Sequence, residues 1–213
     1  MFSIEHISSV HLDILKEIGN IGAGHAATAL STLLGKKVEM EVPSVRLVSF
    51  DEMVDLAGGA DRVVACVFSR IEGNASGSIF FVLSLEHADH FIRNITGDGD
   101  FRLDCSPYPE LTLSALKEIG NILSGSYLTS LSNFTNLNLQ SSVPALSIEM
   151  AGAVISCGLI ELSKVSDYAI VVDTALREEA DEERNRMNGH FFLLPDPDSF
   201  EIIFSALGVL VND

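Results

Sequence analysis

The sequence predicts an α+β fold: a tandem-duplicated, pseudo-two-fold symmetric single domain with a shared antiparallel sheet and two long helices. Three observations predict it. The hexapeptide KEIGNI stands at Lys16–Ile21 and again at Lys117–Ile122, a spacing of 101 residues (117 − 16). The match continues at that spacing through Gly24 and Gly125, Thr28 and Thr129, Leu30 and Leu131, Ser31 and Ser132, and Pro43 and Pro144. Self-similarity at a fixed spacing marks a repeated structural unit. Further on, GSIFFVLSLEHADHFIRNITG from Gly77 resembles GHFFLLPDPDSFEIIFSALG from Gly189, a spacing of 112 (189 − 77). The difference puts an insertion of about a dozen residues around the acidic run Arg177 to Arg184. Finally, candidate strands come in runs joined by short turn-rich segments such as EGNASG, Glu72 to Gly77, instead of alternating with helices, so antiparallel pairing is expected. The chain then reads as one domain over 1–213, built of repeats near 1–100 and 101–213.

Each repeat opens on a long helix. The first runs from about Val10 to Leu34, with Ser8 and Ser9 as N-cap candidates and Gly35 as its stop; the second starts near Pro109, a residue suited to a helix's first turn. Strands rich in Val, Ile and Phe follow at Glu39 to Ser49, Arg62 to Ile71 and Ser78 to Leu83, then at Ala145 to Ser156, Tyr168 to Leu176 and His190 to Leu194. Shorter helices close the repeats near Glu86 to Ile95 and Ser199 to Val209.

Composition narrows the function. With 47% hydrophobic and 20% charged residues the chain buries a sizeable core. No apolar run approaches the ~18 to 20 residues that span a bilayer, and Met1 to His6 lacks the layout of a secretory signal, so a cytoplasmic location is expected. A formal charge of −17, from 30 acidic against 13 basic residues, argues against nucleic acid or an anionic membrane as partner, because both require Lys/Arg patches. The run REEADEER, Arg177 to Arg184, reads as a solvated loop. Cys66, Cys105 and Cys157 are odd in number and far apart, which suits buried free thiols better than disulfides or zinc ligands. His87 and His90 share a helical face but read as surface histidines, and no metal ligands are assigned. The groups required for nucleotide hydrolysis, zinc proteolysis or α/β-hydrolase chemistry are missing from the sequence.

The repeated helix carries the remaining signal. At about 100° per residue from Asp13, Glu17 falls near 40° and Asn20 near 340°, while Leu15, Ile18, Gly22, Ala26, Ala29 and Leu33 cluster between about 140° and 220° as a core stripe. Gly24, Ala27, Thr28 and Ser31 complete the outer face, and Ser114, Glu118, Asn121, Gly125, Thr129 and Ser132 repeat it. Mid-helix Asn and Gly each cost several tenths to about 1 kcal/mol relative to Ala, so their retention in both repeats calls for a reason beyond helix propensity. A glycine one turn after the Asn lets another macromolecule approach the helix, whereas Gly19 and Gly120, on the border of the core stripe, suit close internal packing. Pro43 and Pro144 lie near strand starts and read as structural.

Asp13-x3-Glu17-x2-Asn20-x22-Pro43 and Ser114-x3-Glu118-x2-Asn121-x22-Pro144 resemble the active-site pattern of the CheC/CheX/FliY family of chemotaxis phosphatases. The resemblance covers nearly the whole chain. It implies hydrolysis of the aspartyl phosphate on the response regulator CheY, which is expected to bring its own Mg²⁺ and lysine, so this chain needs no cofactor of its own. Asn20 and Asn121 would orient the attacking water without acting as bases, because an amide offers both donor and acceptor. Glu17 and Glu118 would dock the regulator, with Asp13 and Ser114 as flanking polar contacts. The resemblance also implies the receptor deamidase CheD as a partner, and two repeats in one chain remove one reason to dimerise, so a monomer is expected. The rival reading is a non-catalytic adaptor of the chemotaxis or flagellar switch system acting chiefly through CheD.

Overall fold

A computed structural model describes residues 7–103, 106–162, 168–178 and 187–208. The first repeat contributes α1 (Ser9–Leu34), β1 (Val38–Glu41), β2 (Val45–Ser49), α2 (Phe50–Leu56), β3 (Val63–Gly73), β4 (Gly77–Ser84) and α3 (Leu85–Thr96). The second contributes α4 (Glu110–Thr135), β5 (Leu139–Ser141), β6 (Ala145–Met150), α5 (Ala151–Leu162), β7 (Tyr168–Glu178), β8 (Met187–Pro195) and α6 (Pro197–Ala206). The order of elements is the same in both. All eight strands form one antiparallel sheet in the order β1-β7-β8-β4-β3-β5, with β2 also on β7 and β6 also on β3. Each repeat therefore gives its first two strands to the other's hairpin, and the pseudo-two-fold axis passes between β4 and β8.

Both faces of this sheet are covered. On one side α1, α4, α3 and α6 pack Leu15, Ile18, Ile119, Leu123, Phe91 and Phe204 against Val67, Phe81, Val172 and Phe191. On the other, Met53 of α2 and Ile155 of α5 meet Cys66, Phe80, Val171 and Phe192. This explains why β4 reads as a continuous apolar run, since alternation disappears when both faces are buried.

Several expected boundaries shift, each for a physical reason. Glu39 to Ser49 is two strands, because Pro43 has no N–H for the ladder and the chain bulges from Val42 to Ser44. Ala145 to Ser156 is a strand only to Met150; the apolar run from Ala151 is helical and roofs the second face. Helix α2 and strand β5 lie outside the elements expected from the sequence. The signal for α2 was Ser49-x-x-Glu52, a capping box in which Ser49 Oγ accepts from the Glu52 N–H and Glu52 Oε2 accepts from the Ser49 N–H at 2.7 Å. Pro109 caps α4 instead of opening its first turn.

The insertion also divides. Val45 pairs with Val172 and its repeat Leu146 pairs with Val67, so β7 follows β3 by 105 (172 − 67) and four added residues (105 − 101) precede β7. The acidic run is partly strand: Arg177 and Glu178 end β7, and Arg177 pairs with Glu41 at 3.2 Å. Its remainder lies outside the described residues.

The helix faces follow the expected stripe through Leu15, Ile18, Gly22 and Ala26, but Ala29 and Leu33 are exposed and Leu30 and Leu34 are buried in their place. Past Ala26 the buried side of α1 turns toward its own β1. Leu128, the counterpart of Ala27, is core. Cys66 is a buried free thiol, and burial pushes its pKa up to about 12; Cys105 and the Cys157 side chain lie outside the described residues. His87 and His90 are half-buried on α3.

The glycines of the repeated helices separate into two kinds. A Cβ on Gly22 would stand 3.1 Å from the Ser126 carbonyl oxygen, so α1 and α4 touch backbone to backbone there. A Cβ on Gly120 would stand 2.5 Å from Val67 Cγ1, whereas Gly24 and Gly125 meet nothing within 4 Å. Gly120→Ala is expected to lower stability by ~1–3 kcal/mol through overpacking, while Gly125→Ala raises it by up to ~1 kcal/mol through helix propensity. Urea unfolding of the two variants checks both signs.

Candidate active site

Helices α1 and α4 present the two Glu/Asn pairs on the outer layer of the molecule. Asp13 and Glu17 are exposed on α1, as are Ser114 and Glu118 on α4, and among the described residues neither glutamate has an ion-pair partner. Beside the motif, Val10, Ile21 and Leu111 are exposed apolar side chains. A surface with acidic side chains and a rim of exposed aliphatic groups suits contact with a macromolecule.

The asparagines differ between repeats. Asn20 is half-buried in the seam between α1 and the β1–β2 bulge. Its Oδ1 accepts from the Val42 N–H at 2.9 Å, and its Nδ2 donates to the Val42 carbonyl at 3.3 Å and to the Lys16 carbonyl at 3.1 Å. Val42 is 3% exposed, and the side chain approaches Gly19, where a Cβ would stand 3.3 Å from Val42 Cγ2. Asn121 is exposed and makes no hydrogen bond among the described residues, and Val143, the counterpart of Val42, is 90% exposed. The prolines flank these positions, Pro43 exposed and Pro144 half-buried, and in the first repeat the motif spacing places the preceding valine, Val42, opposite the asparagine.

Ser31 and Ser132 serve the fold and not the outer face. Ser31 Oγ accepts from the Val38 N–H at 2.9 Å and donates to the Ala27 carbonyl at 2.7 Å, while Ser132 Oγ donates to the Leu137 carbonyl. Ser31 ties the end of α1 to β1, and Ser132 ties the end of α4 to the loop that leads into β5.

Behind the first bulge lies a polar knot that sequence reading missed, because its members are remote in the chain. Asp173 of β7 takes hydrogen bonds from Ser44 Oγ and from Arg46 at 2.9 Å, stands 3.0 Å from His190 Nδ1, and gives its backbone N–H to the Ser44 carbonyl at 3.0 Å. The pseudo-symmetric positions are Ala145, Ser147, Phe68 and Phe80, which pair in the corresponding registers. These four line an apolar cleft of about 380 Å³ beneath α5. The first bulge is thus backed by a polar network, where the matched positions of the other repeat leave a cleft.

The residues matched by the CheC-like family model, 10–46 and 111–148, are the two stretches that carry the Glu/Asn pairs. The chain is also 50% identical over 202 residues to the CheY-P phosphatase CheC of Bacillus subtilis (strain 168), covering 95% of this chain and 96% of that protein. The chain belongs to the CheC-like family. A second relative, the flagellar motor switch phosphatase FliY of the same organism, is 30% identical over 145 residues, covering 68% of this chain and 37% of its own. The X-ray structure of Thermotoga maritima FliY superposes with a TM-score of 0.67 at 23% identity, covering 95% of this chain and 98% of that one. The fold described above is therefore one that this CheC-like chain shares with FliY.

The knot gives the site a measurable pH dependence. Burial pushes the Asp173 carboxyl up, but hydrogen bonds from His190, Ser44 and Arg46, with the Arg46 charge, outweigh it and hold the pKa at about 2, below the ordinary 3.8. A depressed carboxylate stabilises the folded state fully above 3.8, and that contribution is lost as pH falls through about 2. The Tm difference between wild type and Asp173→Asn is expected to narrow as pH falls below 3.8 toward about 2. Thermal melts across that range measure it.

Proposed function

We propose that this chain is a phosphatase that hydrolyses the aspartyl phosphate of the response regulator CheY, using its two Glu/Asn helix pairs as sites. The observation that carries the reading is the outward presentation of Glu118 and Asn121 one helical turn apart, on a surface with an aliphatic rim, in a chain half identical to a CheY-P phosphatase. An acyl phosphate is already activated, so catalysis reduces mainly to holding a water in line with phosphorus. In that step the water oxygen bonds to phosphorus, the bond from phosphorus to the aspartate oxygen breaks, and the regulator regains its carboxylate.

The asparagine amide suits the task because it accepts from the water through Oδ1 and donates through Nδ2 without bringing negative charge to the phosphoryl oxygens. Glu17 and Glu118 dock the regulator by pairing with a cation on it, and Asp13 and Ser114 add polar contacts one turn earlier. Mg²⁺ belongs to the regulator in this reading. Pro43 and Pro144 act by shaping the bulges beside the helices.

The reading puts the chain in the cytoplasm with its substrate, and no described helix is long and apolar enough to cross a membrane. It also makes the chain a monomer, since the duplication supplies the two-fold partner internally. CheD is the second partner we assign. An adaptor role through CheD is compatible with catalysis at the Glu/Asn helices.

Loss of phosphate from phosphorylated CheY tests the catalytic reading. The Asn20→Ala/Asn121→Ala double variant is expected to bind CheY-P as wild type does and to lose its acceleration by ~100-fold or more. Wild-type turnover in that variant would remove the water-positioning role. Titration calorimetry with CheD tests the second assignment: binding is expected, and no detectable heat of binding would remove CheD as a partner.

A further inference from the structure

The two asparagines stand in different states, although their motifs are the same. The Asn20 amide spends both of its N–H donors, one on the Val42 carbonyl and one on the Lys16 carbonyl, and its Oδ1 is held by the Val42 N–H. These are the groups that positioning a water requires. Val42 anchors the arrangement by burying its side chain against Gly19. In the second repeat the corresponding valine, Val143, is 90% exposed, Asn121 is exposed, and the glycine below, Gly120, is packed by Val67 from the neighbouring strand.

We propose that the Val42–Pro43 segment is a latch that holds Asn20 out of action, so that in the resting molecule the first site is closed and the second open. The proposal rests on the phosphatase reading given above and adds a state to one of its sites. The open position is visible in the same molecule, as the outward-turned Val143. Docking of CheY-P on α1 opens the latch when contacts from the regulator replace the two hydrogen bonds to Val42. Neutral hydrogen bonds of this kind are weak enough in net terms to be exchanged for those of a partner. Val42 is thereby a positioning residue: it acts through Asn20 and does not touch the phosphoryl group.

Two measurements decide the matter. In the free protein, the side-chain NH₂ protons of Asn20 are expected to exchange with water slower than those of Asn121 by on the order of tenfold, read by ¹⁵N–¹H NMR, and to lose that protection when beryllofluoride-activated CheY with Mg²⁺ is added. In CheY-P decay, Asn121→Ala, which leaves the latched site alone, is expected to be slower than Asn20→Ala by on the order of tenfold. Adding Val42→Ser to Asn121→Ala is expected to recover much of that difference, because the segment loses its buried anchor. Equal exchange of the two amides in the free protein overturns the latch, and so do equal rates for the two single-site variants. Wild-type decay in the Asn20→Ala/Asn121→Ala variant instead overturns the phosphatase reading, so the two failures are distinguishable.

Discussion

The structure depends on the exchange of edge strands between its two repeats. Strands β1 and β2 find no partner in their own repeat; they pair with β7, as β5 and β6 pair with β3. A lone repeat would keep only the β3–β4 or β7–β8 hairpin, and an isolated two-stranded hairpin is at best marginally stable. Joined through β4 and β8, the hairpins become a sheet whose two faces both receive helices. The exchange also decides what each long helix covers. Because α1 leads directly into β1, which pairs with β7, it lies over Val172 and Phe191 of the second repeat, and the bulge beneath Asn20 is fastened to Asp173 of that repeat. A helix from one half is thus supported by strands from the other.

Duplication with exchange allows the halves to diverge without losing the fold. Backbone pairing preserves the register: Val38 lies opposite Glu178 and its repeat Leu139 opposite Gly73, both at the spacings set by β2 and β6. Side chains at matched positions are under no such constraint. Around the first bulge Ser44, Arg46, Asp173 and His190 satisfy one another, so a half-buried carboxylate there is stabilised and not stranded. At the matched positions Ala145 and Ser147 are too small, and Phe68 and Phe80 too apolar, to build the same network, and a cleft is left. The polar knot steadies the bulge that holds Asn20; the other end lacks that fastening, and its valine turns outward.

Much of this was legible in the sequence, for identifiable reasons. The long helices and the outward Glu17, Glu118 and Asn121 follow from a 3.6-residue period repeated twice, since a local period survives whatever the tertiary context; Asn20, expected outward as well, is instead turned into the seam with Val42. The hairpin strands were legible from Val, Ile and Phe runs bounded by turn residues. Helix α5 was not, because AGAVISCGLI has Ser156 as its one polar side chain, and a short run without a clear period looks alike as strand or helix. Nor was strand exchange, since pairing between remote segments leaves no local mark. The Asn20–Val42 contact lay between these cases. Its signal was the fixed 22-residue gap before each proline, which suited a structural role for the proline but did not name its neighbour's backbone as the partner of the asparagine.

The position of the asparagine on its helix explains how one side chain can be both structural and chemical. Around α1, Asp13, Glu17, Gly24 and Thr28 form an exposed crest, while Asn20, Ala27 and Ser31 lie along the seam with β1. Ser31 at the far end of the seam is committed to Val38 and makes the helix end rigid. Asn20, three turns earlier along the helix (31 − 20 residues at about 3.6 per turn), grips a bulge instead of a regular strand. A bulge leaves the ladder incomplete, so its backbone groups are available to a side chain and available again when that side chain leaves. Had the amide been on the crest, as the glutamate is, nothing would hold it. The seam beside a proline bulge is the place on this helix where an amide is both positioned and releasable.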